Sequence, residues 1–246
     1  MTERNFSNLA IEYFENRTDE LLSDLSGLIA IPSVRDENAK SHHAPFGKGI
    51  REAFDYLINF AKREGLEVRD HQGYAMDISY GQGEEEIGIL HHVDVVPAGD
   101  ASRWKTPPFE LHQQGGLVFG RGVTDNKGPL MASLYILKMF KQLNVPMKRK
   151  IRVIIGGAEE TTWECVEHYF RHQPQPAVGF SPDGDFPIVN GEKGILYAEL
   201  QKEFPPLRDL GCCQIHRIES ERDRTSTCHH LSVWFSGQQA ARVAQH

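Results

Sequence analysis

The chain has 246 residues, 39% hydrophobic and 25% charged, a globular composition that excludes disordered, collagen-like and membrane-embedded classes and is long enough for one large core. Its formal charge of -7, from 34 acidic against 27 basic residues, leaves Lys148-Arg149-Lys150 as the compact basic run, which argues against nucleic acid and for small molecules or metal ions as partners. No secretory signal opens the chain and no apolar run would span a membrane, while Cys165 stands apart from Cys212, Cys213 and Cys228 without a disulfide framework, so a cytoplasmic setting is expected.

Between Asn8 and Ala30 the residues Leu9, Tyr13, Phe14, Leu21, Leu22, Leu25 and Leu28 recur at helical spacing, as two short helices or one broken near Asn16, ending before Ile31-Pro32. A helix over about Gly49 to Glu64 carries Phe54, Leu57, Ile58 and Ala61 on one stripe and meets Gly65 as its stop. Strands follow at Glu67–Arg69, Tyr74–Tyr80, Ile87–Leu90 and Leu117–Phe119, then a helix over about Lys127 to Leu143. The apolar strand Ile151–Ile155 precedes a helix from Thr162 to His172, a strand near Val178–Phe180, and a strand pair around Ile188 and Ile195–Leu200. Strands alternating with helices predict an α/β fold, a mixed sheet flanked by helices on both faces. After Phe204 the helical and strand periods fade, apart from Leu231–Phe235, and Cys, His, Arg, Ser and Gln accumulate.

Chemistry-bearing residues gather where strands end. In Gly88-Ile-Leu-His-His92-Val-Asp94, residues His92 and Asp94 are two apart at the end of an apolar strand and share a face, so Asp94 is placed to fix the imidazole tautomer that a metal requires. His91 points to the opposite face and reads as structural. In Gly120-Arg-Gly122-Val-Thr-Asp125-Asn-Lys-Gly128, the glycines permit tight turns that deliver Asp125 just before a helix; the phosphate-loop pattern is absent, since Gly128 follows Lys127. Glu159-Glu160 closes the strand Ile151–Ile155, two adjacent carboxylates that are costly unless a cation or a shared proton offsets them. Asp183 follows another strand in Phe180-Ser-Pro-Asp183-Gly-Asp185, where a turn at Gly184 carries Asp185 away from the strand end.

Taken singly, each has a plainer reading: a surface His beside an Asp, a helix N-cap, a solvated acidic turn, an Asp-Gly turn. Jointly, four loops that an open α/β sheet gathers along one edge supply nitrogen and oxygen donors and no thiolate, a set suited to zinc, manganese or cobalt.

The order of these segments resembles that of the two-metal aminoacylase and carboxypeptidase-type metallopeptidases, and within them the PepV-like, carnosinase-related dipeptidases. The match rests on His92-Val-Asp94-Val-Val-Pro97-Ala-Gly99, Trp104 with Pro107-Pro-Phe109, Gly120-Arg-Gly122 with Asp125-Asn-Lys-Gly-Pro129, Glu159-Glu160, and Phe180-Ser-Pro-Asp183 with Phe186-Pro187, over roughly Asn8 to Phe204. The resemblance implies a first metal held by His92, Asp125 and Asp183, a second held by Asp125 and Glu160, and Asp125 as the bridge. It also implies Glu159 as general base, Asp94 as the residue orienting His92, zinc as the cofactor in two ions, and a dipeptide as substrate. A deacylase of N-acyl amino acids on the same scaffold, and a non-catalytic metal-binding remnant, are the alternatives. Such enzymes also carry an inserted lid and a late metal-binding histidine in a Gly-rich setting, which His216, His229, His230 and His246 do not match. The chain is therefore expected to divide into residues 1–204, the N-terminal portion of a catalytic domain without its lid, and an atypical, frame-shifted tail, residues 205–246, leaving it inactive on its own.

Overall fold

The computed structural model describes residues 3–184 together with Ile188, Val189 and Gly191. All of these except Gly191 lie in the unit Met1–Asn190. The N-terminal apolar periodicity resolves into two helices, α1 (Glu3–Glu15) and α2 (Thr18–Ile29), with the break at Asn16 and Arg17. Helix α3 (Lys48–Glu64) buries Ile50, Ala53, Phe54, Leu57, Phe60 and Ala61, a single stripe at helical spacing. Gly65 ends it at φ 64°, a left-handed conformation that glycine adopts without strain, and the Leu66 N–H turns back to the Ala61 carbonyl at 2.8 Å.

Strands β1 (Glu67–His71), β2 (Ala75–Tyr80) and β3 (Glu86–His92) precede a small exposed hairpin, β4 (His112–Gln114) and β5 (Leu117–Phe119), joined at Gly115-Gly116. Helix α4 (Gly128–Gln142), strand β6 (Lys150–Gly156), helix α5 (Glu164–His172) and strand β7 (Val178–Phe180) complete the described elements. The main sheet runs in the order β1-β2-β6-β3-β7. β1 and β2 pair antiparallel, as do β2 and β6, whereas β3 lies parallel to both β6 and β7. The parallel pairs need crossovers, which the segments carrying α4 and α5 provide.

Alternation along the strands decides which helices pack where. Met76, Ile78, Ile89, Val153 and Ile155 join Leu25 and Leu28 of α2, Phe54 and Leu57 of α3, and Leu130 and Leu134 of α4 in the main core. A second cluster, Ala75 and Ile154 with Tyr169 of α5, lies apart from it and is flanked by Leu90 and Phe170. The fold is the expected mixed sheet with helices on both faces. Buried Asp77 is satisfied by the Tyr169 hydroxyl at 3.0 Å and by His71 Nε2 at 2.7 Å.

Differences from expectation are local. The hairpin strand His112–Gln114 was not foreseen, because three exposed polar residues give no hydrophobic period. Helix α5 starts at Glu164 rather than Thr162, since Trp163 takes a left-handed φ of 60°. Ile188 and Val189 belong to no strand and are 87% and 64% exposed. The expected strand Ile195–Leu200, Asp185 and the boundary after Phe204 lie outside the described residues. Among the described residues no helix is long and apolar enough to cross a membrane.

Candidate metal centre

Three parallel strands deliver their C-terminal ends to one place. In register His92 of β3 stands opposite Gly156 of β6, and Ile89 opposite Phe180 of β7, so the segments carrying His92, Glu159 and Asp183 leave the sheet side by side. Asp125 arrives from a kinked turn, Val123–Lys127, in which its own backbone is non-helical at φ -128° and ψ 95°, and which leads into α4. Gly122 opens this turn at φ 85°, and its peptide packs so close to Val95 that an added Cβ would stand 2.9 Å from Val95 Cγ1. The turn is anchored from below by Lys127, which is fully buried and donates through Nζ to the carbonyls of Leu28 at 3.0 Å and Ile31 at 2.7 Å, where α2 ends. Burial lowers the pKa of Lys127 to about 7.

His92, 1% exposed, sits at the centre of the site. Its Nδ1 lies 2.9 Å from the main-chain carbonyl of Asp94 and 3.5 Å from the Asp94 carboxylate. A carbonyl only accepts, so Nδ1 carries a proton and donates. Asp94 thus fixes the tautomer chiefly through its backbone, where the sequence pointed to its side chain. On the other side of the ring, Nε2 is 2.8 Å from Asp125 Oδ1, 3.5 Å from Asp183 Oδ2 and 3.8 Å from Glu159 Oε2. Facing atoms of His92, Asp125 and Asp183 all lie within 4.8 Å of one another, the one such three-donor group among the described residues.

The Asp94 carboxylate, 1% exposed, has a second task. It accepts the backbone N–H of Glu159 at 3.1 Å and of Glu160 at 3.0 Å. The loop after β6 is thereby pulled across the end of β3. Arg35 braces the far side, donating to Thr161 Oγ1 at 3.1 Å and Thr162 Oγ1 at 2.9 Å and pairing with Glu164 at 2.7 Å. Glu160 therefore enters the site region through its backbone, one residue beyond Glu159, and its carboxylate is not part of the three-donor group.

The electrostatics call for positive charge. Burial raises the pKa of Glu159 to about 7, helped by the neighbouring Asp183, Glu160 and Asp94 and opposed by His92. Burial disfavours protonation of His92, yet its hydrogen bonds with Asp125, Asp183 and Asp94 outweigh this and raise its pKa. The hydrogen bond with His92 lowers that of Asp183. Because Nδ1 is already committed to a donor role, a neutral His92 would present an Nε2 lone pair to the carboxylates. Only a proton or a cation between them makes that arrangement favourable, so the donor set fits a divalent ion.

Two buried side chains behind the site carry no weight in a reading by strand parity. Asn126 Nδ2 donates to Asp183 Oδ1 at 2.9 Å and to the Pro182 carbonyl at 3.1 Å, and Asn126 Oδ1 meets His91 Nδ1. His91 Nε2 lies 2.9 Å from Ser133 Oγ on α4, and burial pushes the pKa of His91 down to about 4. The signal available was the immediate neighbourhood of Asn126 and His91 to Asp125 and His92.

The model for peptidase family M20/M25/M40 matches residues 88–221, more than half of the chain and all of the residues just described as gathering around His92. The chain belongs to this family. A Bacillus subtilis (strain 168) protein named "Putative dipeptidase YtjP" is 42% identical to this M20 chain over 193 residues, 78% of this chain and 41% of that protein. A Staphylococcus epidermidis protein named "Putative dipeptidase" is 42% identical over 203 residues, 82% of this chain and 43% of the relative. The chain thus spans about two fifths of the length of these curated relatives. Among solved structures, human carnosine dipeptidase 1 is similar with a TM-score of 0.56 and 24% identity, covering 66% of this chain and 37% of that one. The M20 family metallo-carboxypeptidase Sso-CP2 of Sulfolobus solfataricus gives 0.55 and 22%, covering 68% and 37%. At these identities the structural likeness is one of fold.

Proposed function

We propose that this chain supplies metal-holding and proton-handling residues for hydrolysis of the peptide bond of a dipeptide. The observation that carries the reading is the convergence of His92 Nε2, Asp125 and Asp183 within 4.8 Å, with the Glu159 carboxylate 3.8 Å from the same nitrogen. The names of the relatives, both called dipeptidases, favour this over deacylation of N-acyl amino acids.

In this reading zinc is the resident metal. His92, Asp125 and Asp183 would hold one ion, and Asp125 and Glu160 would contribute to a second. Divalent ions there supply Lewis acidity towards a carbonyl oxygen and make water more acidic. Glu159, its carboxylate 3.8 Å from His92 Nε2, takes a proton from the attacking water and returns it to the departing amine nitrogen. Asp94 keeps His92 in the Nδ1–H tautomer and holds the peptide groups of Glu159 and Glu160 in place. In this reading the compartment is the cytoplasm.

The test is equilibrium dialysis of the chain against zinc followed by elemental analysis, with dipeptide hydrolysis measured alongside. About one tightly held ion per chain is expected, with the second site weaker for want of a third donor. Absence of any zinc uptake overturns the proposal.

A further inference from the structure

We propose that His91 and Asn126 are positioning residues, a buried relay from Ser133 of α4 that fixes the carboxylate of Asp183 for metal binding. The inference rests on the metal reading above but concerns residues that touch no metal.

Hydrogen-bond directions carry it. Asp183 ionised is an acceptor only, so the Asn126 group 2.9 Å from Asp183 Oδ1 is the amide nitrogen. The second proton of that nitrogen goes to the Pro182 carbonyl at 3.1 Å. Asn126 Oδ1 is then the atom turned towards His91 Nδ1, which must donate. His91 Nε2 is left as an acceptor for the Ser133 hydroxyl at 2.9 Å. Every member has one available orientation, and none has water to substitute, since His91, Asn126 and Ser133 are 3%, 0% and 6% exposed.

The relay matters because of where Asp183 comes from. β7 pairs with β3 over three residues and both its large side chains are exposed, Val178 at 50% and Phe180 at 58%. Such a strand gives little packing to hold the loop behind it. Asn126 ties one Asp183 oxygen to the buried frame and leaves the other, Oδ2, 3.5 Å from His92 Nε2. As the neighbour of Asp125, Asn126 also couples two of the three donors. If the amide rotated by half a turn, its oxygen would face the carboxylate; the His91 N–H prevents this. Second partners of this kind change metal affinity by about 10- to 100-fold when removed.

The experiment compares the 246-residue chain with His91→Leu and His91→Asn, reading zinc affinity by chelator competition, melting temperature of the chelator-treated proteins, and the tautomer of His91 by ¹⁵N NMR. His91→Leu should weaken zinc by about 10- to 100-fold. His91→Asn places an amide nitrogen where Nδ1 stands and should recover most of that loss, whatever the two melting temperatures. Equal affinity in wild type and His91→Leu, or equal loss in both variants, overturns the relay. The tautomer requires no variant to fold: a proton on Nδ1 supports the relay and a proton on Nε2 overturns it. If wild type takes up no zinc, the metal reading fails, and the tautomer alone decides whether the hydrogen-bond chain exists.

Discussion

Asp94 and Glu159, 65 residues apart in sequence, are joined by a hydrogen bond of 3.1 Å from the Glu159 main-chain N–H to Asp94 Oδ1, and the next amide, of Glu160, binds the other oxygen. One carboxylate thus holds the histidine strand and the glutamate loop together. Asp94→Ala should remove the acceptor from two partly buried amides, each hydrogen bond being worth about 0.5–1.5 kcal/mol. Urea denaturation should show this loss, together with weakened zinc binding. Stability unchanged from wild type would mean the loop is held by other contacts.

The two glutamates should separate by phenotype. In the full-length enzyme, Glu159→Gln should leave zinc content unchanged and lower dipeptide turnover by roughly two to four orders of magnitude, the range for loss of a general base. Glu160→Gln should instead weaken the second ion. Elemental analysis after dialysis reads the first property and amine release the second. The reverse pattern exchanges the roles.

Asp125→Ala should abolish uptake of both ions, because the residue is assigned to each of them. Loss of one ion with retention of the other, measured by elemental analysis, would show that Asp125 is not shared.

Gly157 lies between β6 and Glu159, and a Cβ there would stand 2.9 Å from Ile50, 3.1 Å from Phe46 and 3.1 Å from Phe54. Gly157→Ala should therefore destabilise the fold by about 1–3 kcal/mol, as overpacking does. It should also displace the glutamate loop and weaken zinc binding. Thermal melting and chelator competition measure the two effects.

Acid should expose the Glu67 network. Hydrogen bonds with Lys150 and Arg69 lower its pKa to about 2. A carboxyl whose pKa is depressed on folding stabilises the native state above its unfolded pKa, about 4.3, and that contribution disappears as pH falls through the folded value. The side chain is 48% exposed, so solvent screening keeps the effect below about 1 kcal/mol. Urea midpoints of wild type and Glu67→Gln should differ at pH 7 and converge near pH 2.

Much of the centre was legible because strand parity is a strong constraint. His92 and Asp94 do leave one strand end together, and the Gly-rich turn does carry Asp125 to them. The same parity argument put His91 on the other face, where it lies against Ser133 of α4, and so hid its link to Asp183 through Asn126. Contacts made by main-chain atoms left no residue-type signature, as with the Asp94 carbonyl on His92 and the amides on its carboxylate. Of the β4–β5 hairpin, Leu117–Phe119 and the turn at Gly115-Gly116 were legible and β4 was not, because His112, Gln113 and Gln114 are exposed and carry no alternation.

The parallel pairing of β3 with both β6 and β7 imposes an order in time. On a ribosome His92 emerges first, then Asp125, then the glutamates, and Asp183 last, and each parallel partner reaches β3 only after a crossover has been made. A nascent chain stalled before β6 would display His92 beside an unformed neighbour and hold no three-donor cluster at all. Assembly of the three-donor cluster thereby becomes a late event in the life of the molecule, a checkpoint passed only when both crossovers are complete.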